Sequence, residues 1–158
     1  MSKIDTINNL IQIINVKKAE NKIIVAACGC FDLFHIGHLE YLQGAKKLGH
    51  VLIVGVNSNE SIIKIKNQKP MFDISDRMRM IEALECVDYV FSFHDMDFRN
   101  MIITFKPDIF AKGIDRKNMV LPEQEICKKY KAQIMYIGEI KRSSSTFLKK
   151  AIQNQNHS

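Results

Sequence analysis

Short apolar runs alternate with stretches of helical periodicity along the chain. Each run is bounded by polar residues or by turns, and its length is typical of a buried strand. The five predicted strands are Ile23–Ala27, Val51–Val56, Tyr89–Phe93, Pro107–Lys112 and Ala132–Gly138. Helices are predicted for Ser2–Val16, Ile36–Leu48, the start of Ile62–Lys69, the segment after Asp73, Phe98–Phe105, Pro122–Tyr130 and the segment through Phe147, Leu148 and Ile152.

This alternation predicts an α/β fold, namely a Rossmann-like open parallel sheet of about five strands with helices on both faces. No linker or internal repeat divides the chain, so residues 1–158 are expected to form a single domain. A lead-in helix within residues 1–21 is expected to cover the sheet edge. Residues 153–158 are expected to form a disordered tail.

Composition and charge narrow the class of protein. Of 158 residues, 46% are hydrophobic and 25% are charged, which suits one sizeable core. The apolar runs are too short to span a membrane and the N-terminus lacks a signal-peptide pattern, so the sequence predicts a cytoplasmic protein without a membrane partner. The net charge of +6 is carried by scattered lysines, which fits phosphorylated substrates and gives no reason to expect nucleic acid. The four cysteines are expected to be reduced thiols.

Residues 29–38, here called the signature loop, carry the densest candidate chemistry. They read Gly-Cys-Phe-Asp-Leu-Phe-His-Ile-Gly-His and lie between a predicted strand and a predicted helix. Gly29 can take backbone angles closed to other residues, which lets the main chain approach a ligand closely. A helix that begins near Ile36 would direct free N–H groups at an anion. The arrangement favours a bound phosphate.

Two histidines stand at the start of this predicted helix. His35 and His38 are three residues apart and share one side of the first turn, where imidazole donors can stabilise charge on phosphoryl oxygens. Gly37 between them leaves room for a phosphate. The alternative is a zinc site formed by the two histidines with Cys28 and Cys30, since all four are metal-ligand types. The Cys-x-Cys spacing at a strand end is unusual for zinc, and such a site would not need the glycines.

Polar loops also follow other predicted strands at the points where they end. Asn57 follows the second strand and Lys112–Asp115 closes the fourth. Ligands of open parallel sheets bind outside the carboxyl ends of the strands, so these loops are expected to share one cleft with the signature loop. After the fifth strand, residues Lys141–Thr146 combine two basic residues with four hydroxyl side chains. The hydroxyl groups are either simple helix caps or, together with the basic residues, a second phosphate site.

Two cations near the expected cleft each have two interpretations. Lys66 belongs to a basic run before Pro70, which is either solvated surface or a loop that closes on a substrate phosphate. Arg77 lies in the first turn of the helix after Asp73, where a cation opposes the helix dipole. Its position is explained either by binding of the triphosphate or the substrate, or by a surface salt bridge to Asp73 or Asp76.

The signature loop resembles the HxGH motif of the nucleotidyltransferase superfamily, in the longer Gly-x-Phe-Asp-x-x-His-x-Gly-His form of its cytidylyltransferase-like branch. From about Lys22 to Ile152 the order of motifs is similar to that of the heptose-1-phosphate adenylyltransferases, which make ADP-heptose in bacterial lipopolysaccharide synthesis. The matching segments are Gly29–Asp32, His35–His38, Val56–Ser58, Arg77–Met78, Ala83–Asp88, Lys112–Asp115 and Ser144–Thr146. Positions 86 and 114 are variable within these segments. Cys28 and Ile114 depart from the asparagine and glycine usual in those enzymes.

This resemblance implies an enzyme that joins a nucleoside monophosphate from a triphosphate to a phosphorylated sugar and releases pyrophosphate, most closely a heptose-1-phosphate adenylyltransferase. A CTP-dependent cytidylyltransferase acting on glycerol 3-phosphate or another polyol phosphate stays open. So does a non-catalytic module that binds a nucleotide or RNA. The resemblance further implies ATP or CTP as the nucleotide, and a homodimer. Mg²⁺ is expected to be held through the triphosphate rather than in a tight protein-only site, since the site supplies few carboxylates apart from Asp32.

The expected roles of individual residues follow from the motifs and the resemblance. The expected catalytic residues are His35, His38, Lys66 and Arg77. The expected nucleotide-binding residues are Cys28, Gly29, Cys30, Phe31, Gly37, His38, Lys112, Gly113, Asp115, Ser144, Ser145 and Thr146. The expected substrate-binding residues are Asp32, Asn57, Lys66 and Arg77.

Overall fold

A computed structural model of the chain describes residues 1–138, 149–150 and 152–154. Its strands are β1 (Ile24–Gly29), β2 (Val51–Asn57), β3 (Tyr89–Phe93), β4 (Ile109–Gly113) and β5 (Gln133–Ile137). Its helices are α1 (Ile7–Ala19), α2 (Ile36–Lys46), α3 (Asn59–Lys66), α4 (Ile74–Glu82), α5 (Arg99–Phe105) and α6 (Gln124–Lys129), with a 3₁₀ turn at Ile114–Arg116. The strands form one all-parallel sheet in the order β3-β2-β1-β4-β5. The predicted α/β fold is confirmed.

The two faces of the sheet carry separate cores because successive side chains of a strand point to opposite faces. On one face, Ile24 and Ala26 of β1 pack in a cluster with apolar residues of α1, α5 and α6. On the other face, Val25 and Ala27 pack with residues of α2 and α4. Both faces are therefore covered by helices, as a buried parallel sheet requires.

The lead-in segment covers the sheet differently from the expectation. The predicted helix over Ser2–Val16 is wrong at its first residues, because Ile4 forms a parallel bridge with Val90 at the edge strand β3. An edge strand offers unpaired backbone groups, and an extended segment satisfies them directly. α1 begins later and packs on a face of the sheet, where Leu10 and Ile14 are buried.

The carboxyl ends of the five parallel strands lie along one edge of the sheet, with β1 in the middle. The sheet topology thus brings the loops after β1, β2 and β4 together, as predicted. Residues 149–150 and 152–154 are helical, while residues 155–158 lie outside the described residues, and the disordered tail stays a prediction. Among the residues that the structure describes, no helix has the length and apolar character that crossing a bilayer requires.

Candidate active site

A cleft of about 560 Å³ opens at the carboxyl ends of the central strands. It gathers most of the predicted site residues. Those in its wall are Cys28, Gly29, Cys30, Phe31, His35, His38, Asn57, Lys66, Lys112, Gly113 and Asp115. Ser144, Ser145 and Thr146 lie outside the described residues. The predicted juxtaposition of three strand-end loops is therefore present, while the chemical roles of these residues stay predictions.

The tight turn after β1 is built differently from the expectation. The left-handed backbone conformation falls on Phe31, with φ +47°, and not on Gly29. A side chain on Gly29 would instead meet the ring of Phe31 at 3.0 Å, so glycine lets this ring pack closely against the main chain. A positive φ costs a non-glycine residue on the order of 1–3 kcal/mol and is kept only where packing fixes it. Here the buried Phe31 ring packs edge-on against His38 at 5.3 Å.

The two signature histidines fix each other and cap α2. Nδ1 of His35 accepts a hydrogen bond from the Gly37 amide at 3.0 Å, and Nδ1 of His38 accepts one from the His35 amide at 3.3 Å. The rings stack with their centroids 3.9 Å apart. Because a backbone N–H can only donate, both Nδ1 atoms must be unprotonated, and a neutral ring then carries its proton on Nε2. The pair is thus held as two oriented Nε2–H donors.

This capping arrangement corrects the expectation of free amides at the start of α2. The Gly37 amide is bound to the His35 ring, and the His38 amide donates to the His35 carbonyl at 3.0 Å. These two amides are therefore used inside the first turn, and Gly37 contributes through its small size and its bond to His35. The imidazole rings of this first turn stay the predicted phosphate ligands.

The two cysteines beside Gly29 are half-buried, protonated thiols. Burial raises the pKa of Cys28 to about 11 and also raises that of Cys30. The Cys30 thiol donates to Oδ1 of Asn57 at 3.7 Å. Zinc binding needs thiolates, and within the described part of the chain no three His, Cys, Asp or Glu side chains are grouped to hold a metal ion. The four side chains of the zinc alternative do not form such a site.

Arg77 is a buried hub of hydrogen bonds between loops and strand ends. Its side chain is 0% exposed. Nη1 donates to the carbonyls of Cys30 and Asn57 at 2.8 and 2.6 Å, which ties the ends of β1 and β2 together. Nε donates to the Phe72 carbonyl at 3.0 Å and Nη2 to Oδ1 of Asn59 at 2.8 Å. The alternative of a surface salt bridge is wrong, because the side chain is buried and these donors face strand ends and loops inside the protein. The contact of Arg77 with a phosphate or the substrate stays a prediction.

Asp32 is also buried inside the protein and hydrogen-bonded to it, and its contact with substrate stays a prediction. Its carboxylate is fully buried and accepts hydrogen bonds from the amides of Met71 and Phe72 at 2.9 and 3.1 Å. It also forms a salt bridge with the buried Lys149, which comes from the helical residues after the undescribed segment. Asp32 therefore joins the signature loop to the loop before α4 and to the C-terminal part of the chain.

We expect this site to make part of the stability depend on acid pH. Burial alone would raise the pKa of Asp32, but hydrogen bonds from Lys149 and from two backbone amides outweigh it and hold the pKa below its ordinary value. A lowered folded-state pKa gives stability that is present above the ordinary pKa, about 4, and is lost as the pH falls through the folded value. The Asp32→Asn variant should thus have a lower free energy of unfolding than wild type at pH 7. This difference in stability should disappear below about pH 4.

Urea unfolding at a series of pH values measures this difference in the free energy of unfolding. Asp76→Asn is a matched control, since Asp76 is exposed in the first turn of α4, and its curve should follow that of wild type. A gap between wild type and Asp32→Asn that stays constant from pH 7 to pH 3 would contradict the assignment.

The remaining cleft residues lie on both sides of the histidines. Asn57 donates to Oγ of Ser61 at 2.7 Å, which fixes its amide at the end of β2. Lys66 is half-buried at the last residue of α3. On the other side, the ammonium of Lys112 lies 5.4 Å from the centre of the Phe110 ring. A side chain on Gly113 would come within 2.4 Å of the Asp115 carboxylate, so glycine allows that close approach.

Sequence reasoning missed several members of the cleft wall, and Glu123 is the buried acidic residue among them. Glu123 precedes α6, is 3% exposed, and accepts a hydrogen bond from the Phe98 amide at 2.9 Å. A glutamate after proline at a predicted helix start is ordinary, so the sequence offered no signal for it. The buried position follows from the way the loop after β4 folds back toward α5.

Comparison with known proteins identifies the family. The family model described as Cytidylyltransferase-like matches residues 26–156, which is most of the chain. The chain belongs to this cytidylyltransferase-like family. The resemblance indicated by the signature loop is thereby confirmed, and the motifs at the carboxyl edge of the sheet all fall within the matched region.

Relatives of this cytidylyltransferase-like chain include proteins named Bifunctional protein HldE. The one from Geobacter metallireducens is 36% identical over 146 residues, which are 92% of this chain and 30% of that protein. The one from Helicobacter hepaticus is 37% identical over 139 residues, 87% of this chain and 28% of that protein. The chain thus spans about 30% of the length of these curated relatives.

A solved structure shares the fold of this family member. It is titled as the lipopolysaccharide core biosynthesis protein from Thermoplasma volcanium GSS1, with a TM-score of 0.64 and 34% sequence identity. The match covers 76% of this cytidylyltransferase-like chain and 99% of that one.

Proposed function

We propose that the chain is a nucleotidyltransferase that joins the nucleoside monophosphate of a triphosphate to a phosphorylated sugar and releases pyrophosphate. The most specific form of the proposal is a heptose-1-phosphate adenylyltransferase that forms ADP-heptose. Support comes from membership of the cytidylyltransferase-like family, from relatives named Bifunctional protein HldE, and from a neighbour titled for lipopolysaccharide core biosynthesis. The single observation that carries the chemistry is the stacked pair of oriented imidazoles in the cleft.

The proposed reaction is an in-line displacement at the α-phosphorus. A phosphate oxygen of the acceptor forms the new bond while the bond to pyrophosphate breaks. Because the acceptor phosphate is already ionised near neutral pH, no general base is needed, and catalysis consists of positioning and of stabilising developing charge. The Nε2–H groups of His35 and His38 are proposed to donate to phosphoryl oxygens, with Lys66 and Lys112 adding positive charge.

The cleft fits a metal ion that arrives with the triphosphate. Its carboxylates, such as Asp97, Asp115 and Glu123, come from three separate loops, and no three described residues are grouped as metal ligands. Asp115 is the side chain we propose to face Mg²⁺, a hard cation that prefers oxygen ligands and phosphates. When bound, Mg²⁺ neutralises charge on the phosphates.

A pyrophosphate-release screen tests the proposed function. Purified protein is incubated with each of four triphosphates and with heptose 1-phosphate, hexose 1-phosphates, glycerol 3-phosphate or another polyol phosphate. We expect release that requires both ATP and heptose 1-phosphate. Release with CTP and a polyol phosphate would replace the proposal with a cytidylyltransferase, and nucleotide binding without any release would indicate a non-catalytic module.

Three further expectations stay predictions. Ser144, Ser145 and Thr146 are proposed to contact the triphosphate by resemblance to the family motif. A cytoplasmic location suits an enzyme that consumes a nucleoside triphosphate, and a homodimer is proposed by analogy with related enzymes.

A further inference from the structure

Glu123 has a buried carboxylate oxygen that the proposed reaction does not use. Its Oε1 atom accepts the hydrogen bond from the amide of Phe98, the residue that caps α5. Its Oε2 atom is also buried, and it has no hydrogen-bond partner within the part of the chain that the structure describes. The residue lines the cleft that holds the signature histidines.

A buried acceptor of this kind is unfavourable for folding unless something satisfies it. Buried polar atoms in native proteins are almost always hydrogen-bonded, and each exception requires an explanation, such as a bound water, an ion or a ligand. A neutral amide at position 123 could accept from Phe98 equally well, so the contact to α5 does not explain the second carboxylate oxygen. The position is instead explained by a ligand group that donates a hydrogen bond.

The surroundings of Glu123 indicate which group this is. Leu121 is buried beside it, and the preceding residues Met119 and Val120 line the same cleft although they are 51% and 90% exposed. Lys112 and Asp115, at the end of β4, line the cleft as well. An apolar surface next to one hydrogen-bond acceptor is complementary to a flat heteroaromatic ring with an amino group. A sugar, which carries several hydroxyl groups, would require more polar partners.

We propose that segment Met119–Glu123 binds the base of the nucleoside triphosphate and that Glu123 accepts a hydrogen bond from its exocyclic amino group. The proposal rests on the proposed function, because it deepens the nucleotide site of that reaction. Oε2 is buried in this structure, so the amino group reaches it through a shift of the exposed residues 115–120, which keeps Oε1 on the Phe98 amide. Glu123 is then a specificity-determining residue.

The proposed hydrogen bond to an exocyclic amino group predicts which nucleotides the site accepts. Adenine and cytosine carry an exocyclic amino group where hypoxanthine and uracil carry a carbonyl. A site built to bond a donor rejects an analogue that lacks it, because its own acceptor is then left unpaired in the complex. Wild type should therefore prefer ATP to ITP by about tenfold or more, and CTP to UTP if cytidine nucleotides bind.

The variant Glu123→Gln tests the proposal, because the orientation of its side-chain amide can be predicted. The Phe98 amide needs an oxygen opposite it, so the glutamine oxygen takes the Oε1 place and its NH₂ group takes the Oε2 place. The variant then donates where wild type accepts. We expect the preference for ATP over ITP to fall by about tenfold or more, both in kcat/KM and in the Kd measured by calorimetry without acceptor, with Tm unchanged or raised.

Glu125→Gln is the matched control, because Glu125 lies two residues on, is exposed on α6, and should leave the ATP-to-ITP ratio unchanged. An unchanged ratio in Glu123→Gln overturns the proposal, as does an effect confined to the KM of the acceptor. If wild type binds ATP better than ITP through Glu123 but releases no pyrophosphate, the proposed function fails and this inference stands. If pyrophosphate is released but the ratio does not respond to Glu123→Gln, the inference alone fails.

Discussion

Replacing His38 by alanine should lower turnover by about 10²–10³-fold while the protein stays folded. The ring holds an Nε2–H donor in the cleft, and its loss removes a preorganised hydrogen bond to charge that develops during displacement. The same change removes the bond from the His35 amide and the stacking contact between the two rings, so we expect about 1 kcal/mol of lost stability. Turnover is measured by pyrophosphate release under saturating substrates, and folding by circular dichroism and urea unfolding.

His50→Ala supplies a closely matched control. His50 also uses Nδ1 to accept one backbone N–H, that of Ile23 at 2.9 Å, but it lies before β2 at the opposite edge of the sheet. The two variants therefore lose the same kind of ring and the same kind of hydrogen bond. Stability should fall by similar amounts, while His50→Ala keeps near-normal turnover. A folded His38→Ala protein with near-normal turnover would remove His38 from the reaction.

Replacing Arg77 by methionine should destabilise the protein by about 3 kcal/mol, the largest stability effect that we expect for a residue near the cleft. Methionine fills similar space but leaves the carbonyls of Cys30, Asn57 and Phe72 without their donor. Since small domains have a free energy of unfolding of about 5–15 kcal/mol, the variant loses a large fraction of its stability. The measurement is the urea midpoint together with the slope of the transition.

Arg79→Met separates this effect from a general cost of losing arginine. Arg79 lies on the exposed side of the same helix α4, and its substitution should change the free energy of unfolding by less than about 0.5 kcal/mol. Arg77→Lys should fall between wild type and Arg77→Met, because an ammonium group cannot reach several carbonyls with the planar fork of a guanidinium. Equal stability of Arg77→Met and Arg79→Met would contradict the role of Arg77 as a hub.

The periodicity of the chain was sufficient to predict the sheet and the cleft that the loops after its strands share. Buried parallel strands are continuous apolar runs, and each ends in a polar loop, so both can be recognised locally. The N-terminal residues were mistaken for helix because their apolar spacing fits α1 as well as an edge segment. Only the unpaired edge of β3 decides between the two, and that edge does not exist until the sheet has formed.

The roles of buried polar residues could not be predicted from sequence. Arg77 and Asp32 resemble surface or ligand-binding residues in the sequence, because charged side chains are rarely buried. Their partners are backbone groups of loops that are distant in sequence, and those contacts come only from the tertiary fold. The turn at Gly29 shows the same limit, since the packing of Phe31, and not the freedom of glycine, determines its shape.

The most direct test of the central claim follows the α-phosphorus itself. ATP labelled with ³²P at the α-position is incubated with the protein and heptose 1-phosphate, and the products are separated by chromatography. If the acceptor phosphate attacks at the histidine pair as proposed, the label appears in a sugar nucleotide and the pyrophosphate is unlabelled. Label that is found only in AMP or ADP, with no labelled sugar nucleotide, would contradict the account.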